Sequence, residues 1–299
     1  MRVCRGALGL IGKTPLVRLE KLSPGRVSIW AKAEFLNAGG SVKDRPALAM
    51  IIAAEEKGLI EPGATIVEAT SGNMGISLAM IAAVRGYRCV LVMPEDMSLE
   101  RRYILQAYGA EIVLTPAADA MSGAVDKAAR IARETPGAMM PSQFDNPANP
   151  ASHAEGTALE ILAQLSEPIV AFVAGVGTGG TVSGVGRVFK ERFADQVRIV
   201  AVEPAASAVL SGKQPGLHGI QGLGAGFVPQ ILDRSVIDEV RTVSDVAAQR
   251  TARRLACEEG LLVGPSSGAN VHVACEIAET LEAGNIVTVL CDSGERYLF

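Results

Sequence analysis

Short apolar runs rich in β-branched residues alternate along the chain with longer stretches whose apolar positions recur every three or four residues. Ala64–Ala69 (ATIVEA), Cys89–Met93 (CVLVM) and Glu111–Leu114 (EIVL) read as strands buried on both faces. Between them, Met74–Val84 puts Ile76, Ala79, Met80 and Ala83 on one helical face. Ser98 stands at the N-cap of a helix running to about Ala107, and another helix is predicted near 122–134. A Pro/Asn-rich break between Pro141 and His153 predicts a domain junction. The rhythm then resumes with a helix near 152–165, strand Ile169–Val173, a glycine-rich turn and a helix near 181–193. Strand Arg198–Val202, helices near 245–259 and 267–283, and strand Ile286–Leu290 follow. This alternation predicts an α/β fold of parallel strands joined by helical crossovers.

A length of 299 residues suits two such domains rather than one core. With 48% hydrophobic and 20% charged residues the chain reads as globular, not disordered. A net charge of -4 offers no basic face for nucleic acid. No run approaches the roughly 18 apolar residues a membrane span needs. The apolar part of MRVCRGALGLIG is too short for a secretory signal, so a cytoplasmic location is expected. The five cysteines are odd in number and lack C-x-x-C spacing, which suits buried thiols in a reducing compartment. No zinc, H-E-x-x-H or EF-hand spacing occurs, and no metal is expected.

Three motifs invite competing readings. Gly175-Val-Gly177-Thr-Gly179-Gly180 fits G-x-G-x-x-G between a strand and a helix, with Glu203 ending the next strand. On its own it suits a dinucleotide site, a bare tight turn or a plain phosphate cradle. Gly264-Pro-Ser266-Ser-Gly268 fits the hydrolase elbow G-x-S-x-G, but only His272 follows, with no acid between, so Ser266 reads better as a helix N-cap. Gly12-Lys13-Thr14 lacks the first glycine of a P-loop, since Ala7 occupies that position, and Leu16–Leu19 looks extended.

A lysine decides between these readings when it is taken with three other segments. Asn37-Ala-Gly-Gly-Ser41-Val-Lys43-Asp-Arg45 sets Lys43 in a glycine-rich turn before a helix that carries Leu48, Ile51 and Ile52 on one face. With Glu68-Ala-Thr70-Ser71-Gly72-Asn73-Met74-Gly75, Gly177–Thr181 and Gly264–Gly268, it resembles the O-acetylserine sulfhydrylase (cysteine synthase) family. The resemblance runs from Ile11–Leu19 through Met93–Glu95, Ser98–Arg102, Gln143–Pro150 and Ile220–Phe227 to Ser293–Leu298.

That resemblance implies a tryptophan synthase β-like fold of two doubly wound three-layer α/β/α domains and a pyridoxal 5'-phosphate cofactor. It further implies a smaller, mobile domain over 37–146, a larger one over 147–299, and a segment 1–36 packing mainly with the larger. By the resemblance, Lys43 carries the cofactor as a Schiff base and then takes the substrate α-proton. Gly177, Thr178, Gly179, Gly180 and Thr181 cradle its phosphate, Asn73 bonds its 3' oxygen, and Ser266 faces its pyridine nitrogen. Serine there, being neutral, favours β-elimination over transamination. Thr70, Ser71, Gly72, Met74 and Gln143 fall at the substrate carboxylate. The implied reaction is β-replacement on O-acetyl-L-serine by sulfide through a bound aminoacrylate. The implied assembly is a homodimer that can bind serine acetyltransferase.

Met74 stands where the family usually has threonine, and Gly156-Thr-Ala-Leu159 replaces Thr-Thr-Gly-Pro. These departures keep other expectations open: O-phosphoserine as donor, synthesis of cystathionine, cyanoalanine or diaminopropionate, or a catalytically weak cofactor-binding protein. Outside the family, the glycine turn alone would suit an NAD-dependent oxidoreductase.

Overall fold

The computed structural model describes residues 3–70 and 72–298. Six strands form one sheet in the order β1 (Leu16–Arg18), β2 (Val27–Ala33), β9 (Gly284–Leu290), β6 (Ile169–Gly175), β7 (Arg198–Pro204) and β8 (Glu239–Val243). All its pairings are parallel except the hairpin β1–β2. A second sheet holds β3 (Thr65–Ala69), β4 (Arg88–Pro94) and β5 (Glu111–Thr115), all parallel.

Each sheet is covered on both faces. On the small sheet, Ile66, Leu91 and Met93 pack with Met50 and Ile51 of α1 (Asp44–Glu56), Leu78 and Ile81 of α2 (Asn73–Arg85) and Leu105 of α3 (Leu99–Ala107). Their strand neighbours Val67, Val90 and Val92 point the other way, onto Ala124 and Ala128 of α4 (Ala120–Glu134). After the short α5 (Ala148–Ser152), a π-helical turn at His153–Ala158 leads into α6 (Leu159–Gln164). On the large sheet, Phe172, Ile199 and Val287 meet Ile161 of α6 and Val185 and Phe189 of α7 (Gly180–Phe193). The opposite face packs Ile29, Val173, Val200 and Ile286 on Leu255 of α8 (Asp245–Glu259) and Val273 and Ile277 of α9 (Pro265–Glu279). Two three-layer α/β/α units result, as expected. Strand residues pointing to opposite faces are both apolar, which is why these strands read as unbroken apolar runs.

The structure corrects several local expectations. The helix predicted near 152–165 is interrupted by the π turn, and the one expected to reach 283 ends at Glu279. The buried face of α1 is Ala47, Met50, Ile51 and Ala54, one position off the expected stripe. In α2, Met74–Ala82 are all buried, whereas Ala83 is exposed. Ser98 is an N-cap by position, but its side chain makes no capping bond. Ser266 is not a cap: Gly264 is, with Pro265 in the first turn. Among the described residues, no helix is long and apolar enough to cross a membrane.

Candidate active site

The loops leaving the carboxyl ends of β3, β6 and β9 converge, and α1, α2, α7 and α9 begin there. Ligands bind at this end of parallel sheets because strand ends and helix N-termini leave backbone N–H groups unpaired. A cavity of about 310 Å³ lies between them. Of the residues singled out from sequence, Lys43, Thr70, Gly72, Asn73, Met74, Gln143, Gly177 and Thr178 all line it, with Met121, Phe144, Gly222 and Leu223. Gly179, Gly180, Thr181 and Ser266 do not line it, and Ser71 lies outside the described residues. A wider cleft of about 1020 Å³ shares Gly72, Gly222 and Leu223 with the cavity and carries Arg101, Arg253 and Arg296.

The Lys43 turn is anchored from two sides. Val42 donates its N–H to the Cys291 carbonyl (2.8 Å), and Ser41 bridges Asp292. Asp44 accepts from Gly39 N–H (2.5 Å) and from the Ser77 hydroxyl (2.5 Å), and burial pushes its carboxyl up to about 6. Arg45 forms two bidentate pairs, with Glu34 (2.6 and 2.8 Å) and Glu160 (2.8 and 2.8 Å). Lys32, fully buried, adds a 2.8 Å bridge to Glu160. Burial works to raise the Glu160 carboxyl, but Arg45 and Lys32 outweigh it and hold it at about 2. Among the described residues, Lys43 itself has no such anionic partner in a salt bridge. Burial draws its ammonium below the ordinary lysine range, and Cys291 and Asp292 oppose that only in part.

The glycine loop between β6 and α7 has little room for side chains. A Cβ on Gly177 would lie 2.2 Å from the Gly222 carbonyl, and one on Gly180 would lie 1.9 Å from Asn149 Oδ1. Gly179 adopts a left-handed φ of +83°. Asn149 Nδ2 ties this loop to the Gln143 segment, donating to the Gln143 carbonyl (2.8 Å) and to Thr178 Oγ1 (3.1 Å). Thr181 Oγ1 meets His153 Nε2 at 3.3 Å, and burial holds that imidazole well below its usual range. The Glu203 carboxylate is taken up by its own following segment, not left for a ribose as a dinucleotide site would require. It accepts from Leu210 N–H (2.7 Å), Ser211 N–H (2.9 Å) and the Ser211 hydroxyl (2.6 Å).

Ser266 is 3% exposed and lies behind Gly222, whose added Cβ would be 3.9 Å from its Oγ. Asn73 is held by groups that sequence reasoning gave no role. Its Nδ2 donates to Asp292 Oδ2 (2.6 Å), and its Oδ1 accepts from Arg296. Asp292 also accepts from the Tyr297 hydroxyl.

These residues fit a phosphorylated aldehyde. The phosphate requires a helix N-terminus free of side chains, and the Gly177–Thr181 loop at the start of α7 provides one. Imine formation requires an amine whose charge is disfavoured, as at Lys43.

Comparison with known proteins agrees with this chemistry. A family described as pyridoxal-phosphate dependent enzyme matches residues 7–292. The chain belongs to the pyridoxal-phosphate dependent enzymes. It is 51% identical to a cysteine synthase of Staphylococcus aureus (strain Mu50) over 292 residues, covering 97% of this chain and 94% of the relative. The crystal structure of O-ureido-L-serine synthase superposes with a TM-score of 0.96 at 47% identity, covering 99% of this chain and 94% of that one. The cysteine synthase of Entamoeba histolytica gives a TM-score of 0.96 at 40% identity, covering 99% and 90%. The cofactor of this pyridoxal-phosphate dependent enzyme is thus pyridoxal phosphate. The NAD reading of the glycine turn falls.

Proposed function

We propose that the protein is a cysteine synthase that exchanges the acetate of O-acetyl-L-serine for sulfide, giving L-cysteine and acetate. The observation that carries this is the convergence of Lys43, Thr70, Asn73, Gln143, Gly177 and Thr178 on one cavity. Full-length similarity to cysteine synthases supports the same reaction. When bound, pyridoxal phosphate supplies an aldehyde for an amine and a ring that accepts electrons from the adjacent carbon.

Lys43 would hold the cofactor through its amine, and Gly177, Thr178, Gly179, Gly180 and Thr181 would hold its phosphate. Asn73 would donate to the ring oxygen, and Ser266 would face the ring nitrogen. A neutral hydroxyl there places no fixed negative charge on the ring, which favours expulsion of a β-substituent. Once released, the Lys43 amine takes the substrate α-proton as general base. Thr70, Ser71, Gly72 and Gln143 would bind the α-carboxylate, with Met74 forming an apolar wall beside them. Loss of acetate from the β-carbon and addition of sulfide to the same carbon complete the exchange.

The deciding experiment supplies the holoenzyme with O-acetyl-L-serine and sulfide and measures cysteine and acetate. Equal amounts of both, lost in Lys43→Ala, are expected. Absence of cysteine from the parent enzyme would overturn the reading. A second reading keeps β-replacement and changes the nucleophile. It is favoured by Met74 and by the wide cleft adjoining the cavity, and a nucleophile screen separates the two.

The same reading includes a cytoplasmic homodimer able to take the tail of a serine acetyltransferase. It also includes a smaller domain over 37–146 that moves against 147–299, with 1–36 belonging to the latter. Pairing of β2 with β9 supports that last assignment.

A further inference from the structure

We infer that Asp292 and Arg296 are positioning residues that fix the Asn73 carboxamide so that it presents N–H, not C=O, to the cofactor. This rests on the reading of Asn73 as a ligand of the cofactor's ring oxygen.

A carboxamide has two ends of similar shape and opposite hydrogen-bonding sense, so its environment must choose between them. At Asn73 the choice is forced by charge. A carboxylate, Asp292, lies 2.6 Å from Nδ2, and a guanidinium, that of Arg296, contacts Oδ1. Rotating the amide by 180° would set carbonyl against carboxylate and N–H against guanidinium. One Nδ2 hydrogen is then committed to Asp292, and the second remains for the cavity that Asn73 lines.

The clamp is itself fixed. Tyr297 donates to the same Asp292 oxygen that Asn73 uses, and Asp292 is 1% exposed. Arg296 also donates to the Gly39 carbonyl in the Lys43 turn. It passes so close to Gly40 that a Cβ there would lie 2.5 Å from Nη2. The clamp therefore joins the first turn of α2 and the lysine turn to the segment after β9.

The test is titration of the apo protein with pyridoxal phosphate, followed by visible absorbance. Asn73→Ala, Asp292→Asn and Arg296→Gln are each expected to weaken binding by roughly tenfold, the scale of a charge-assisted hydrogen bond. In an Asn73→Ala background, Asp292→Asn and Arg296→Gln are each expected to add less than about twofold, since they act through the missing amide. A loss that persists undiminished in that background would show a general structural role and overturn the inference. If Asn73→Ala alone leaves affinity unchanged, the reading of Asn73 as a ligand fails, and the inference with it. If Asn73→Ala weakens binding but neither partner variant does, only the inference fails. Should Asp292→Asn not fold, Arg296→Gln completes the same cycle.

Discussion

Gly177 and Gly222 touch backbone to backbone: a Cβ on the first would fall 2.2 Å from the carbonyl oxygen of the second. The Gly177–Thr181 loop and the 220–224 loop therefore share one wall of the cavity. Gly177→Ala must push them apart, since neither atom belongs to a flexible side chain. Overpacking of this kind costs about 1–3 kcal/mol. Pyridoxal phosphate affinity is expected to fall roughly 5- to 150-fold, measured by equilibrium binding to the apo protein.

Met74 is 2% exposed and lines the cavity next to the proposed carboxylate loop. Met74→Thr would add a hydroxyl donor there, and a hydrogen bond to a charged group contributes about 1.5–3 kcal/mol. A KM for O-acetyl-L-serine lower by about tenfold or more is expected from steady-state kinetics. Loss of buried volume should destabilise the variant by about 1–3 kcal/mol.

Arg45 is the only cation paired with the fully buried Glu34 among the described salt bridges. Arg45→Met would leave that carboxylate buried without its cation, which costs about 3–5 kcal/mol. Chemical denaturation should show the loss, and because Arg45 lies two residues from Lys43, cofactor occupancy should fall with it.

Glu68, buried in β3, accepts the Ser142 N–H at 3.1 Å, and burial pushes its carboxyl up to about 7. Asp145 pushes in the same direction. An unfolded chain ionises near the ordinary 4.5. Between those pH values the unfolded chain has given up a proton that the folded one keeps. The contribution is therefore fully present below about 4.5 and is lost as pH rises to about 7. At about 1.4 kcal/mol per pH unit, roughly 2–4 kcal/mol is expected to disappear across this window. Glu68→Gln should flatten that part of the curve in urea denaturation at successive pH values.

The legible parts of the fold were the strands covered on both faces, such as β3, β4, β6, β7 and β9, whose central residues are mostly apolar. Strands β2 (VSIWAKA) and β8 (EVRTV) carry polar residues in alternation and did not stand out. Lys32 explains the first case. A lysine normally argues for solvent, yet Glu160 and the Thr14 carbonyl hold this one inside. The cavity residues were legible because several short motifs occur in order. The partners of those residues were not. Asp292 meets Asn73 across 219 positions, and Asn149 meets Thr178 across 29, and no local pattern encodes either pairing.

The register of β2 against β9 sets Val27 beside Gly284 and Ala33 beside Leu290. During synthesis, the β1–β2 hairpin must therefore wait for β9, about 250 positions later, to emerge, while β3, β4 and β5 can pair as soon as residue 115 is out. The small sheet can thus assemble first, and the edge of β2 stays open to aggregation until β9 has emerged.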